Sequence, residues 1–215
     1  MRYKSTILSK RELTQSTFVL RFERNNLEFT PGQYLVVYIS GSPYCREYSI
    51  YSAADKPYLE ILVKEVKGGT FTQTLKHLKI DDIIEFEGPF GFFVLPNTNI
   101  FSFNYLFVAT GTGISPFNSI INTFKLSNYN LLHGVRYKNE AYEKENYNPL
   151  NYKLCATVDN DGQFHGRVTT WLRHNRIEIN KLCYLCGNAD MIDEASDILE
   201  SYGIPPENIK SEVFF

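Results

Sequence analysis

The sequence predicts two domains in tandem: an antiparallel β-barrel over residues 1–97, then a doubly wound α/β domain with a parallel sheet over residues 98–215. Three observations predict this. Up to about residue 95 short apolar runs alternate with turn residues, the pattern of a small barrel. Beyond Leu95-Pro96-Asn97-Thr98-Asn99 apolar strands alternate with helical stretches, the pattern of a parallel sheet. After the first strand of the second style lies Gly111-Thr112-Gly113-Ile114-Ser115-Pro116, a glycine turn between an apolar strand and a helix start.

In the first domain, residues 17–22 alternate apolar and polar positions, and residues 33–39 are aromatic and β-branched after the turn Thr30-Pro31-Gly32. Strands over 47–51, 58–66 and 82–87 follow, the last ending at the turn Gly88-Pro89-Phe90-Gly91. One helix, over 72–78, interrupts them after Gly68-Gly69. In the second domain, a strand over 105–109 leads through the glycine turn to a helix over 116–124. Then come a strand over 130–135, a polar helical stretch, a strand over 152–158, a helix over 167–174 and a strand over 182–186. The last helix, over 188–202, carries Met191, Ala195, Ile198, Leu199 and Tyr202 on one stripe and stops at Gly203 and Pro205-Pro206.

Composition narrows the function. The chain has 215 residues, 43% of them hydrophobic and 15% aromatic, which is a folded protein and not a disordered one. With 22 basic against 24 acidic residues there is no bulk charge to favour nucleic acid. No apolar run approaches the ~20 residues that span a bilayer, and Met1-Arg2-Tyr3-Lys4-Ser5 lacks a signal-peptide core. A cytoplasmic monomer is the expectation. Of the four cysteines, Cys183 and Cys186 have metal-like spacing, but they lie on one strand, where positions three apart face opposite ways. No metal site is expected, and Cys45, Cys155 and Cys183 read as buried thiols.

Several short motifs carry chemistry. In Arg46-Glu47-Tyr48-Ser49, Arg46 and Tyr48 share a strand face. A guanidinium grips phosphate as a fork, a tyrosine ring lies flat on a heterocycle, and a serine hydroxyl donates to a ring nitrogen. The same string also suits a plain surface strand. Gly69-Thr70-Phe71-Thr72 opens a helix, so its amides can meet a phosphate, although Thr72 can equally be an ordinary N-cap. Gly111-x-Gly113-x-x-Pro116 has proline where the dinucleotide fingerprint has a third glycine; proline is harmless in a first helical turn. A tight turn without ligand is the alternative.

These pieces, in this order, resemble the ferredoxin–NADP⁺ reductase family over nearly the whole chain. Arg46, Tyr48 and Ser49 match its flavin signature after Pro31-Gly32-Gln33-Tyr34, and Gly88-Pro89-Phe90-Gly91 matches the turn that closes its barrel. Thr110, Gly111, Thr112, Gly113 and Pro116 match its nicotinamide loop, and Cys186-Gly187-Asn188-Ala189-Asp190-Met191 resembles its cysteine-glycine-asparagine motif. Glu212-Val213-Phe214-Phe215 is similar to its acidic-then-aromatic terminus. The resemblance implies FAD and NADPH or NADH as cofactors. It implies that Arg46 neutralises the flavin phosphate, Tyr48 stacks on the isoalloxazine, and Ser49 sits by N5. Lys64, Gly69 and Thr72 join the flavin set, with Thr72 at the pyrophosphate. Cys186 and Glu212 lie by the nicotinamide, Arg136 and Arg167 hold the dinucleotide, and Phe214 or Phe215 covers the flavin; core packing is the other reading of Phe215.

One departure bears on the choice of nicotinamide. Where NADPH-using members often carry an arginine after the third α/β strand, this chain reads Ala156-Thr157-Val158-Asp159-Asn160. An acidic Asp159 repels a 2′-phosphate if it points there, so NADH is a live choice. The function expected is an FAD-dependent NAD(P)H oxidoreductase serving a separate one-electron carrier such as ferredoxin or flavodoxin. The alternatives are an NAD(P)H–flavin or ferric reductase using FAD or FMN loosely, and a flavin-binding subunit that depends on a partner enzyme.

Overall fold

The computed structural model describes residues 1–41, 43–160 and 163–214, and the chain forms two compact units. One comprises residues 1–94 with the helix at 115–124; the other comprises 95–114 with 125–215.

The first unit is an antiparallel sheet of β1 (Arg2–Thr14), β2 (Thr17–Glu23), β3 (Tyr34–Ile39), β4 (Cys45–Ser49), β5 (Tyr58–Lys64) and β6 (Ile83–Phe90), in the order β4-β3-β6-β1-β2-β5. The two edges meet: Ile50, just beyond β4, bridges Ile61 of β5, and Tyr51 N donates to Glu60 O at 2.8 Å. Closure removes the open edges that would template aggregation. Alternate residues point inward, so Phe18, Leu20 and Phe22 of β2 meet Leu35, Val37, Ile61, Val63, Ile84 and Phe86 in one core. Each such side chain taken from water contributes about 1.5–3 kcal/mol. The helix α1 (Thr70–His77) drops Phe71 and Leu75 into the same core. A second helix, α2 (Ser115–Phe124), fastens to the barrel by hydrogen bonds: Asn118 Nδ2 donates to Tyr51 O at 2.8 Å, and Ser119 Oγ to Ser52 O at 2.7 Å.

The second unit is a wholly parallel sheet of β7 (Asn104–Thr110), β8 (Tyr129–Val135), β9 (Tyr152–Ala156), β10 (Phe164–His165), β11 (Lys181–Gly187) and β12 (Ile209–Val213). The order β10-β9-β8-β7-β11-β12 makes β7 central, with the chain reversing direction between β7 and β11. Ligands of open α/β sheets bind at the carboxyl ends of strands at such a reversal. On one face α3 (Val168–His174) and α4 (Ala189–Ser201) pack Val168, Leu172, Met191, Ile192, Ala195, Ile198 and Leu199 against Leu106, Val108, Leu132 and Leu185. The stripe expected on the last helix is thus its buried face.

Besides the short edge strand β10, which the sequence did not predict, four elements differ from expectation. β1 is the longest strand and was not anticipated, because only Ser5 and Ile7 along it are fully buried and polar residues mask the alternation. β6 does not stop at the Gly88-Pro89-Phe90 turn but runs through it to Phe90, pairing with Tyr34. The polar helical stretch after β8 is two 3-10 turns, Lys138–Glu140 and Lys144–Asn146, since Glu143 between them is left-handed at φ 44°. The terminal segment adds β12 beside β11, a parallel partner that its five residues alone did not reveal.

Candidate functional site

In the barrel, Arg46, Tyr48 and Ser49 lie on β4, whose ladder partner is β3; Arg46 is opposite Val37, Tyr48 opposite Leu35 and Ser49 opposite Tyr34. Arg46 and Tyr48 share a face, and Ser49 on the other face is buried. The Arg46 guanidinium makes no ion pair among the described residues; Nη1 donates to its neighbour's Cys45 O at 2.7 Å and the group lies 5.7 Å from the Phe71 ring. The Tyr48 ring stacks near Phe71 at 6.5 Å, and burial pushes its phenol up, with Arg46 pulling the other way. Phe71 belongs to α1, so the helix start and β4 are brought together.

That helix start suits an anion. The N-cap is Gly69, which has no side chain to cap with, and the first turn carries no acidic residue. The first amides of a helix lack intrahelical acceptors and sit at the positive end of its dipole. The Thr72 hydroxyl is already engaged: Oγ1 accepts from Val66 N at 3.0 Å and donates to Gly69 O at 3.4 Å, pinning the turn before the helix. Lys64 ends β5 and is exposed. A guanidinium without an ion pair among the described residues, a flat ring and a helix start without a side-chain cap fit a flavin bearing a pyrophosphate.

In the α/β unit, Thr110 ends β7 and residues 111–114 form a 3-10 turn leading into α2, with Pro116 in that helix's first turn. Three contacts fix the turn. A Cβ on Gly113 would lie 2.3 Å from Cys186 O, so only glycine lets the turn rest on the end of β11. Thr110 Oγ1 accepts from Asn188 N at 3.0 Å, and a Cβ on Gly187 would strike that hydroxyl at 2.1 Å. Gly111 O receives His133 Nε2 at 2.9 Å from β8. Thr112 is half-buried beside them. The cysteine-glycine-asparagine motif also has a structural reason: Asn188 caps α4, its side chain accepting from Met191 N at 3.3 Å.

Cys186 and Glu212 are register partners on β11 and β12. The thiol is wholly buried, and burial, then the Glu212 charge, push it well above the ordinary thiol range. Phe214 N donates to Gly187 O at 2.8 Å, so the terminal aromatic is tied to the residue after Cys186. Phe215 lies outside the described residues.

Arg136, at the end of β8, is exposed and forms no ion pair among the described residues, its guanidinium lying 5.9 Å from the Tyr137 ring. Its backbone amide and that of Tyr137 donate to Glu140 Oε2 at 3.1 and 3.2 Å. The Asp159 carboxylate accepts from Lys138 N, two residues past Arg136, which places the negative charge at the carboxyl end of β8. Arg167 is the N-cap residue of α3; burial raises the nearby Glu194 carboxyl, but its hydrogen bond from Arg173 and the charges of Arg173 and Arg167 hold it below its usual range.

The residue that sequence reasoning missed is His133. It is fully buried, with Nδ1 2.9 Å from the Tyr152 hydroxyl and Nε2 on Gly111 O. Burial drives its pKa down to about 4 against the pull of Gly111 and Glu140. A lone polar residue inside the apolar run Leu131-Leu132-His133-Gly134 was the available signal.

Fold and motifs define a flavin- and nicotinamide-dependent oxidoreductase. Residues 4–95 match the model of the oxidoreductase FAD-binding domain, and residues 107–197 that of the oxidoreductase NAD-binding domain. The chain is 30% identical to a flavodoxin/ferredoxin–NADP reductase of Buchnera aphidicola, over 77% of this chain and 73% of that protein. It is 27% identical to the electron transfer component of a toluate 1,2-dioxygenase of Pseudomonas putida, over 99% of this chain and 67% of that one. In fold it resembles a ferredoxin NADP⁺ reductase from Neisseria gonorrhoeae solved with FAD and NADP, with a TM-score of 0.88 at 20% identity, covering 100% of this chain and 99% of that one. The chain belongs to the ferredoxin–NADP⁺ reductase family of flavoprotein oxidoreductases, with FAD and a nicotinamide dinucleotide as its cofactors. No helix among the described residues is long and apolar enough to cross a membrane.

Proposed function

We propose that this chain moves electrons between NADH or NADPH and a separate one-electron protein carrier of the ferredoxin or flavodoxin type, as a cytoplasmic monomer. Residues 1–97 would serve the flavin and residues 98–215 the nicotinamide. The observation that carries the reading is the Arg46 guanidinium, without an ion pair among the described residues, beside Tyr48 and the start of α1, whose N-cap Gly69 has no capping side chain. Bound FAD supplies the conversion between a two-electron hydride donor and a one-electron acceptor.

The protein's own groups bind and orient. Arg46 and the amides after Gly69 hold the flavin phosphates, with Lys64 and Thr72 at the same end; Tyr48 supports the ring, and Ser49 donates near its reactive nitrogen. The turn at Thr110, Gly111, Thr112 and Gly113, leading to Pro116, seats the dinucleotide phosphate, and Arg136 and Arg167 add positive charge. Cys186 and Glu212 lie by the nicotinamide, positioning its reactive carbon for a transfer that needs ~3–3.5 Å approach. Because Cys186 is wholly buried, a ring reaches it only when a covering side chain moves. Phe214, bonded to Gly187, is the side chain we assign to that movement.

The test is anaerobic titration of the purified, flavin-loaded protein with NADPH and then NADH, following flavin absorbance, and then addition of ferredoxin or free flavin. Bleaching by a nicotinamide and fast electron delivery to ferredoxin support the proposal. Flavin lost on gel filtration, with free flavin reduced faster than ferredoxin, would favour the loose reductase. A polypeptide that stays colourless with FAD or FMN sinks the reading, and one that binds flavin but is not bleached is a partner-dependent subunit.

A further inference from the structure

We infer that His133, a residue touching no cofactor in the reading above, is the positioning residue that holds the nicotinamide-binding turn in its working shape by donating Nε2–H to the Gly111 carbonyl. The inference rests on the assignment of residues 110–116 to nicotinamide binding.

The argument is one of donors and acceptors. A peptide carbonyl can only accept, so the 2.9 Å contact between Gly111 O and Nε2 fixes a proton on Nε2. Nδ1 of the neutral ring is then an acceptor, and the Tyr152 hydroxyl 2.9 Å away supplies the proton. A chain of two directed bonds, Tyr152 O–H to His133 and His133 N–H to Gly111, runs from β9 through β8 to the turn after β7. Both ring nitrogens are used, so the imidazole can neither rotate nor change tautomer without breaking a buried bond.

The setting supports this. The ring is wholly buried, flanked by Tyr142 at 5.9 Å and Tyr152 at 6.1 Å, with Glu140 the charged group bearing on it. Tyr152 itself stacks on Tyr147 at 5.4 Å and 6°, which holds the hydroxyl in place. The turn is held elsewhere by van der Waals fit and by Thr110, but Gly111 O is the carbonyl within it that receives a side-chain donor among the bonds above. Its direction sets where the neighbouring amides of Thr112 and Gly113 point, and a dinucleotide phosphate is bound by such amides.

Four flavin-loaded variants test it: His133→Gln, His133→Asn, His133→Leu and Tyr152→Phe. Glutamine reaches the Nε2 position with an amide donor, whereas asparagine reaches only Nδ1. Losing one buried hydrogen bond is worth roughly tenfold in affinity. We expect His133→Leu and His133→Asn to raise the KM for the preferred nicotinamide about tenfold with kcat within threefold. Flavin content should be unchanged, and His133→Gln should stay within twofold of the parent. Tyr152→Phe should raise KM by a smaller factor. Nitrogen NMR of the parent, with the His133 signals identified by their loss in His133→Gln, should show protonated Nε2 and bare Nδ1 at pH 7. Equal KM values for parent, Leu and Asn, or equal damage in Gln and Asn, overturn the inference, as does a proton on Nδ1. A parent protein whose flavin is not reduced by either nicotinamide overturns the parent reading, and this inference with it. A parent that is reduced normally while the variants match it overturns this inference alone.

Discussion

Cys186 of β11 and Glu212 of β12 stand side by side in parallel register, which leaves a thiol with no exposed surface beside a carboxylate. A thiolate there would be desolvated and repelled at once, so the sulfur stays protonated at neutral pH. Cys186 is therefore a neutral spacer and weak donor, not a nucleophile. Iodoacetamide at pH 8 should label Cys45, which is half-exposed, and spare Cys155, Cys183 and Cys186 in the folded protein. Burial pushes Cys155 and Cys183 up to about 12 as well. Peptide mass spectrometry reads this directly, and rapid loss of Cys186 would contradict the assignment. If Cys186 positions the nicotinamide as proposed, Cys186→Ser should load flavin normally yet slow its reduction by nicotinamide about tenfold in stopped flow, because the smaller oxygen supports the ring less well. An unchanged rate removes Cys186 from the mechanism.

Phe214 follows from the same strand end. Its amide is tied to Gly187 O, so its ring can swing while its backbone stays put. Phe214→Ala should raise NADH oxidase activity several-fold and tighten nicotinamide binding, since an aromatic cover excludes both water and the incoming ring. Oxygen uptake and equilibrium titration measure the two effects. If neither moves, the cover is elsewhere.

Asp159 is the residue by which the proposed choice between nicotinamides can be tested. Its carboxylate accepts from Lys138 N just beyond Arg136, at the strand end where a ribose is expected. Asp159→Asn keeps the hydrogen-bond acceptor and removes the charge. The ratio of kcat/KM for NADPH over that for NADH should rise about tenfold, through relief of like-charge repulsion with a 2′-phosphate. A ratio that does not change would place the ribose away from this residue.

Much of this was legible in the sequence, and what was not has physical reasons. The alternation of β2, β3 and β5 and the apolar runs of β7 and β11 read directly, because one or both faces are buried. Strand β1 hid because partners on both sides satisfy its backbone while most of its side chains stay polar. Arg46, Tyr48, Gly111 and Gly113 were found through their motifs. The reason Gly113 must be glycine, the carbonyl of Cys186, lies 73 positions away and needs the folded sheet. His133 went unnoticed because a buried histidine carries no motif, and its partners Gly111 and Tyr152 converge only when β7, β8 and β9 pair.

His133 also makes a thermodynamic prediction. Its folded pKa is depressed from 6.5 to about 4, chiefly by burial, so below pH 6.5 the unfolded chain takes up a proton that the native ring refuses. Stability is full above that pH and declines as pH falls toward 4. One pKa unit is about 1.4 kcal/mol, so the loss should be about 2 kcal/mol by pH 5 and about 3 kcal/mol near pH 4. Tyr142, Tyr152 and Glu140 face the ring, and burial raises the Tyr152 phenol, so that it stays protonated throughout this window. Other carboxylates also titrate there, so the measurement is a difference. Urea midpoints of parent and His133→Gln at pH 7.5, 6, 5 and 4.5 should diverge as the pH drops, the parent losing more. Parallel curves would mean the imidazole protonates as easily in the native state as in the unfolded one, and burial would then not be what holds the ring neutral.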